Sequence, residues 1–189
     1  MRTLVQLIFP LLLMSCIVGC GSVSVTDYQN ATPVLDLETF FRGELTAHGV
    51  VKNRSGRVIR TFNATIDASW ENGEGILDEH FEFNDGELDQ RKWILTPAGD
   101  NRYTGTAGDV VGAGVLEVAG NSVFLAYTLR IPLDEDSIDV HVDDRMYLVA
   151  PGVLLNESEM RKFGVRVGSI LLVILQPDAQ PPTAGAAPS

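Results

Sequence analysis

The sequence predicts an all-β fold: an antiparallel up-and-down β-barrel of about eight to ten strands with a short N-terminal helix. Three observations carry this expectation. Turn signals recur about every 10–15 residues between positions 54 and 134. The segments between them alternate apolar and polar residues with period two. Segments with a helical period are short and few. Consecutive hairpins make a meander, and about eight to ten strands should curl and close, because closure removes unpaired edges.

Taken in order, the chain begins as a targeting segment. Arg2 supplies a small positive charge, and Leu4 to Val18 is apolar except for Gln6, Pro10, Ser15 and Cys16. That run is short of the roughly 20 apolar residues a membrane span needs. Ile17-Val18-Gly19-Cys20 resembles the lipobox of bacterial lipoproteins, in which the cysteine thiol takes up diacylglycerol and becomes residue one after cleavage. Leu13-Met14-Ser15-Cys16 is the alternative, although Met14 fits the motif poorly. A plain secretory signal is the other reading, but no A-x-A-like cleavage site is evident. Residues 1–19 are thus read as a lipoprotein signal peptide and 20–34 as a lipidated tether. The folded barrel spans 35–175, and 176–189 is a disordered Pro/Ala-rich tail. The motif implies a lipid anchor on Cys20. Gly21 in place of Asp points to the outer membrane, facing the periplasm, if the host is Gram-negative.

Composition narrows the partners. Formal net charge is −11, and a mature form starting at Cys20 carries 13 basic and 25 acidic residues, or −12. Such a surface repels phosphate backbones, which argues against nucleic acid and against anionic headgroups held by charge alone. Both cysteines fall in the first 20 residues, so the body offers neither thiol catalysis nor Cys-ligated metal.

Within the body, Asp36 can cap a helical turn running to Phe41. Val58, Arg60, Phe62, Ala64, Ile66, Ala68 and Trp70 share one face of a long strand. Leu77, Glu79, Phe81 and Phe83 share a face of the next, followed by Arg91, Trp93 and Leu95. Val123, Leu125, Tyr127, Leu129 and Ile131 define another. Asn-Gly at 72–73 and Asp-Gly at 85–86 are hairpin turns, since type I′ geometry needs positive φ at both central residues. The glycine-rich run from Gly105 to Gly114 lacks the lysine of a phosphate loop. It reads instead as a bend or close backbone approach that leaves interior room. Asn156 to Lys162 reads as a second short helix capped by Asn156. Val165 to Leu175, almost wholly apolar, reads as a strand buried on both faces or one that closes the sheet.

These residues also carry a resemblance. The stretches Phe40-Phe41-Arg42-Gly43, Asn53-Arg54-Ser55-Gly56-Arg57-Val58, Leu77-Asp78-Glu79-His80-Phe81, Arg91-Lys92-Trp93, the run Gly105 to Gly112, Asp143-Asp144-Arg145-Met146-Tyr147 and Lys162-Phe163-Gly164 resemble a bacterial lipoprotein family known only as a domain of unknown function, DUF3833. The resemblance spans about 40–170 and implies a lipoprotein, with no activity attached. Arg145 departs from it, standing where an aromatic residue is expected. The layout is also loosely similar to lipocalin and other calycin barrels, a likeness of architecture that does not fix function.

The candidate chemistry lies on inward faces. Glu79 among aromatics requires a partner, with Arg91 or Arg60 as candidates; the arrangement is either the polar anchor of a ligand cavity or a structural ion pair. Of Asp143 and Asp144, one must point inward. With Asp109 they could approach a cation, but no convergent ligand spacing is visible, so no metal or other cofactor is expected. His48, His80 and His141 belong to no catalytic motif, and no catalytic residue is assigned. The expected ligand-binding residues are Glu79, Phe81, Arg91, Trp93, Asp109, Tyr127, Asp144 and Tyr147. Three functions remain open: a membrane-anchored module for a small hydrophobic or lipid-like ligand, an envelope assembly protein with a filled barrel and a protein partner, and an acid/base enzyme using Glu79 or Asp144. A monomer is favoured. A cavity of about 300 Å³ or more would favour the first.

Overall fold

The computed structural model describes residues 22–133 and 136–177. The predicted signal segment, Cys16, Cys20 and the tail beyond residue 177 lie outside these described residues. Ten antiparallel strands form a closed barrel: β1 (Gly43–Asn53), β2 (Val58–Glu71), β3 (Glu74–Phe83), β4 (Leu88–Pro97), β5 (Arg102–Thr106), β6 (Gly114–Ala119), β7 (Ser122–Leu133), β8 (Asp136–Ala150), β9 (Val153–Lys162) and β10 (Val165–Leu175). Every strand pairs with its neighbour in sequence, and β10 returns to β1 with Val51 opposite Ile170. The all-β meander read from the sequence is the observed architecture.

Alternation sets the two surfaces. On β2, Phe62, Ala64, Ile66 and Ala68 are buried, whereas Thr61, Asn63, Thr65, Asp67 and Ser69 face solvent. An apolar interior under a polar exterior is the inverse of a transmembrane barrel, whose lipid-facing band is apolar. Among the described residues, no helix is long and apolar enough to cross a membrane.

One end of the barrel is closed by α1 (Leu37–Phe40). Its cap is the predicted one: the Asp36 carboxylate accepts a hydrogen bond from the Thr39 N–H at 2.7 Å. Leu37, Phe40 and Phe41 turn into the core. Trp70 Nε1 donates to the Phe41 carbonyl at 2.7 Å, and Gln176 Nε2 donates to the Phe40 carbonyl at 2.9 Å. These two bonds tie the plug to the ends of β2 and β10. The opposite end carries the β1–β2, β3–β4, β5–β6, β7–β8 and β9–β10 connections, and among the described residues no helix covers it.

Three expectations need correction, and one that offered two alternatives is decided. Asn156–Lys162 is not a helix but the body of β9, whose inward residues alternate as Leu154, Asn156, Ser158 and Met160. Two of those four are polar, so the hydrophobic period that marks a strand is absent. The β10 strand closes the sheet but is not buried on both faces, since Leu171 is 45% exposed. The stretch 20–34, read as a tether, is packed from Val25 onward. Val25 is buried, and a 3₁₀ turn (Val25–Tyr28) sets the Tyr28 ring against Phe124 and Tyr147, at 5.9 and 5.4 Å. The Leu35 N–H then donates to the Gly120 carbonyl at 2.8 Å. Finally, the tail does not begin as free chain at 176, because Gln176 holds the plug.

Leu45 lies where plug and barrel meet, and it is fully buried. Its truncation removes apolar contacts from both. Leu45→Ala should cost about 2–5 kcal/mol, read as a lowered urea midpoint with an unchanged slope.

Candidate functional site

The barrel interior is incompletely filled. A cavity of about 170 Å³ runs from Leu37 and Phe41 on the plug toward Val51, Phe83 and Asp89 at the open end. Glycine contributes to that room. A Cβ on Gly49 would lie 2.4 Å from the Phe62 ring, and one on Gly105 would lie 3.2 Å from both Trp93 and Leu116. The glycine-rich run after Gly105 forms a connection that lies along β7. There the Val111 N–H donates to the Thr128 carbonyl at 2.9 Å, and the Arg130 N–H donates to the Asp109 carbonyl at 2.8 Å. That docking places Asp109 at the barrel wall.

A polar group sits at mid-height between apolar layers. Its members are Glu79 on β3, Arg91 on β4, Tyr127 on β7, Asp144 on β8, and Asn156 and Ser158 on β9. Glu79 and Arg91 are directly opposed in the β3–β4 register. Yet Arg91 turns its guanidinium to Asp109, with Nη2 at 2.6 Å and Nε at 2.9 Å from the same carboxylate oxygen. Asp144 is solvated by the protein: Asn156 Nδ2 and Ser158 Oγ both donate to its Oδ1, the latter at 2.6 Å. Glu79 has no such partner among the described residues; it is half-buried, and its side chain borders the cavity.

Electrostatics follow from this burial. Loss of hydration pushes the Glu79 carboxyl up to about 7; the Arg91 charge opposes the rise, and Asp144 reinforces it. Burial likewise raises Asp144, against the pull of its Ser158 and Asn156 hydrogen bonds. Burial works against the Arg91 charge, but the Asp109 hydrogen bond and the Glu79 and Asp109 carboxylates around it offset that, and it stays a cation. Burial holds the Tyr127 hydroxyl well above its ordinary range, so it remains a neutral donor.

The description "Protein of unknown function (DUF3833)" matches residues 14–176. The chain belongs to the DUF3833 family. Comparison with curated proteins gives no match. Among solved structures, an S-type phycobiliprotein lyase, CPES from Guillardia theta, is similar with a TM-score of 0.57. The match covers 84% of this chain and 100% of that one, at 9% identity, and at that identity it shows the fold alone.

The DUF3833 domain brings most of the predicted residues together. Glu79, Phe81, Arg91, Trp93, Tyr127 and Asp144 line the cavity, and Asp109 reaches it through Arg91. Tyr147 does not. It stands three residues from Asp144, so alternation sends it to the outer face, where it packs on Tyr28 and Phe124. The expected Glu79 ion pair is also replaced. Arg91 is committed to Asp109, and Arg60 binds Asp85 at 2.8 Å and Glu87 at 3.0 Å at the open rim. Arg145, at the departure from the family pattern, lies over the outer-face Phe124 ring and pairs with Asp143. With Asp109 and Asp143 each bound to an arginine, neither is free for a cation beside Asp144. His48, His80 and His141 are on the outer surface. The cavity is smaller than the roughly 300 Å³ of a site that encloses a drug-sized ligand. Asn156 and Ser158 were missed by the helical reading of their segment. The signal that could have found them is that a buried Asp144 needs hydrogen-bond donors on an adjacent strand.

Because the folded state holds the Glu79 proton more tightly than the unfolded chain, folding takes up a proton between about pH 4.5 and 7. Stability should therefore fall as pH rises through that window, by up to about 3 kcal/mol, and level off above it. Glu79→Gln should flatten the decline and be the more stable protein at pH 8. Urea unfolding of both proteins at pH 5 and pH 8 measures this.

Proposed function

We propose that this chain is an exported lipoprotein, anchored to the cell envelope through a lipid on Cys20, whose barrel holds a small amphipathic ligand. The observation that supports binding most is the combination inside the barrel: room bounded by Leu, Phe and Trp side chains, with a polar group at mid-height whose Glu79 carboxyl lacks a protein partner among the described residues. Ligand pockets have this composition, an apolar wall with a few fixed polar groups. The neighbouring fold is that of a phycobiliprotein lyase, which agrees with a barrel that handles a small molecule. The lipobox motif supports the anchor, and Gly21 favours the outer membrane, facing the periplasm.

Size and charge restrict the ligand. A cavity of about 150 Å³ accommodates a benzene ring, so this one takes a ring or a short aliphatic segment, with the remainder leaving through the open end. Arg91 and Asp109 neutralise one another, and the other carboxyls lining the cavity are Glu79 and Asp144, with Asp89 at its open end. A second anion would be repelled by them. The head that fits is an uncharged hydrogen-bonding group or a cation, and a fatty-acid carboxylate is disfavoured.

Native mass spectrometry and organic extraction of the protein purified from its own envelope test the reading. A co-purifying neutral or cationic amphiphile is expected, with occupancy at least about tenfold lower in Ala64→Trp, which fills the cavity. Empty protein with a collapsed interior would overturn it. The anchor is tested separately: Cys20→Ala should leave the membrane fraction, and a variant that is still lipidated would move the site elsewhere.

A further inference from the structure

The acidic total of the chain conceals a segregation of charge at the open end. The β1–β2 and β9–β10 hairpins are neighbours there, because β1 pairs with β10. From Lys52 to Arg60 and from Met160 to Gly168 there is no Asp or Glu. These segments hold Lys52, Arg54, Arg57, Arg60, Arg161, Lys162 and Arg166. Of these, Arg60 and Arg161 have a carboxylate within ion-pair distance, and the other five have none among the described residues. Outside this patch, Arg42 is the remaining described basic residue with no ion pair.

The same tips are apolar at their ends. Phe163 is 93% exposed, and Val58, Ile59 and Val165 are each about half exposed. Phe163 is also in the wrong conformation for a phenylalanine. It and Gly164 form a two-residue turn with φ of 51° and 77°. The β2–β3 turn has nearly the same geometry, with φ of 52° and 80°, and there the residues are Asn72 and Gly73. Asn or Gly suits positive φ, whereas a bulky aromatic there is strained. The ring's contact within the fold is an exposed one, with Lys162 Nζ 4.9 Å from its centroid, and that is little to set against the strain.

We propose that these two hairpins dock on an anionic lipid surface, with Phe163, Ile59 and Val58 entering the interface and Lys52, Arg54, Arg57 and Arg166 meeting the headgroups, while Lys162 is held by the Asp139 carbonyl. Aliphatic and aromatic tips ringed by Lys and Arg match a bilayer boundary, where apolar groups lie just below anionic heads. A nucleic-acid surface would offer Val and Ile nothing to enter. The flanking β3–β4 tip carries Asp85, Glu87 and Asp89, and the start of β8 carries Asp136. The barrel therefore docks tilted, basic side down, with its mouth at the membrane edge. Docking through this surface does not depend on what the cavity holds.

Every described element lies between Val25 and Leu175, so the chain from Ser22 to Ser189 keeps the whole fold without the leader. Its co-sedimentation with phosphatidylglycerol-containing vesicles should exceed that with pure phosphatidylcholine vesicles by at least about tenfold and weaken as salt is raised. Arg54→Glu with Arg57→Glu should abolish the difference. Phe163→Asn is the sharper variant: it should lower vesicle binding about tenfold while leaving the melting temperature unchanged or higher, since it relieves the turn. Ala64→Trp should not alter vesicle binding, which separates this surface from the cavity. Equal binding to both vesicle types, or full binding by Phe163→Asn, would overturn the proposal. Retention on heparin without vesicle binding would overturn it in favour of a polyanionic macromolecule.

Discussion

A carboxylate carried into the middle of a β-barrel has to be solvated by the barrel itself, and Asp144 is that carboxylate here. Its hydrogen bonds to Asn156 and Ser158 make the inward face of β9 polar. A polar face cannot pack against the Leu and Trp side chains across the barrel as another Leu would. It is therefore in this region that the interior stays partly open, and it is there that Glu79 and Tyr127 find room for their polar ends. The raised affinity of Glu79 for its proton is a consequence of the same enclosure, in which Asp144 is a neighbouring like charge.

Closure of the sheet makes this tolerable. An open sheet would let water reach such a group from an edge, and no internal donors would be needed. Pairing of β10 with β1 removes the edges, and the α1 plug removes one end. Water and ligands are left with the mouth as their route, and its aromatic side is formed by Phe62, Phe81 and Phe83, with Arg60 stacked over Phe83 at 3.6 Å.

The sequence was legible where one physical signal acted alone. Strict alternation on β2, the Asp36 cap and the Asn72-Gly73 turn each appear as read. It was illegible where two demands met on one segment. At β9 the need to solvate Asp144 overrode hydrophobic alternation, and Asn156 at the head of a polar stretch imitated a helix cap. Tyr147 could have been excluded from the interior by alternation alone, being an odd number of residues from Asp144. Arg91 was correctly placed on the inward face, but its partner could not be read. Asp109 lies in a connection whose course depends on backbone hydrogen bonds to β7. Net charge misled in a different way, since a sum over the chain cannot show that its unpaired cations gather on two adjacent hairpins.

If the hollow accepts an apolar body with a head that is not an anion, the head alone should decide between otherwise equal ligands. Calorimetric titration of the delipidated protein at pH 7.5 with decanol, decylamine and decanoate, three ligands of equal chain length, tests this most directly. Measurable binding of the alcohol and the amine is expected, with decanoate at least about tenfold weaker. Tightest binding by decanoate, or binding by none of the three, would contradict it.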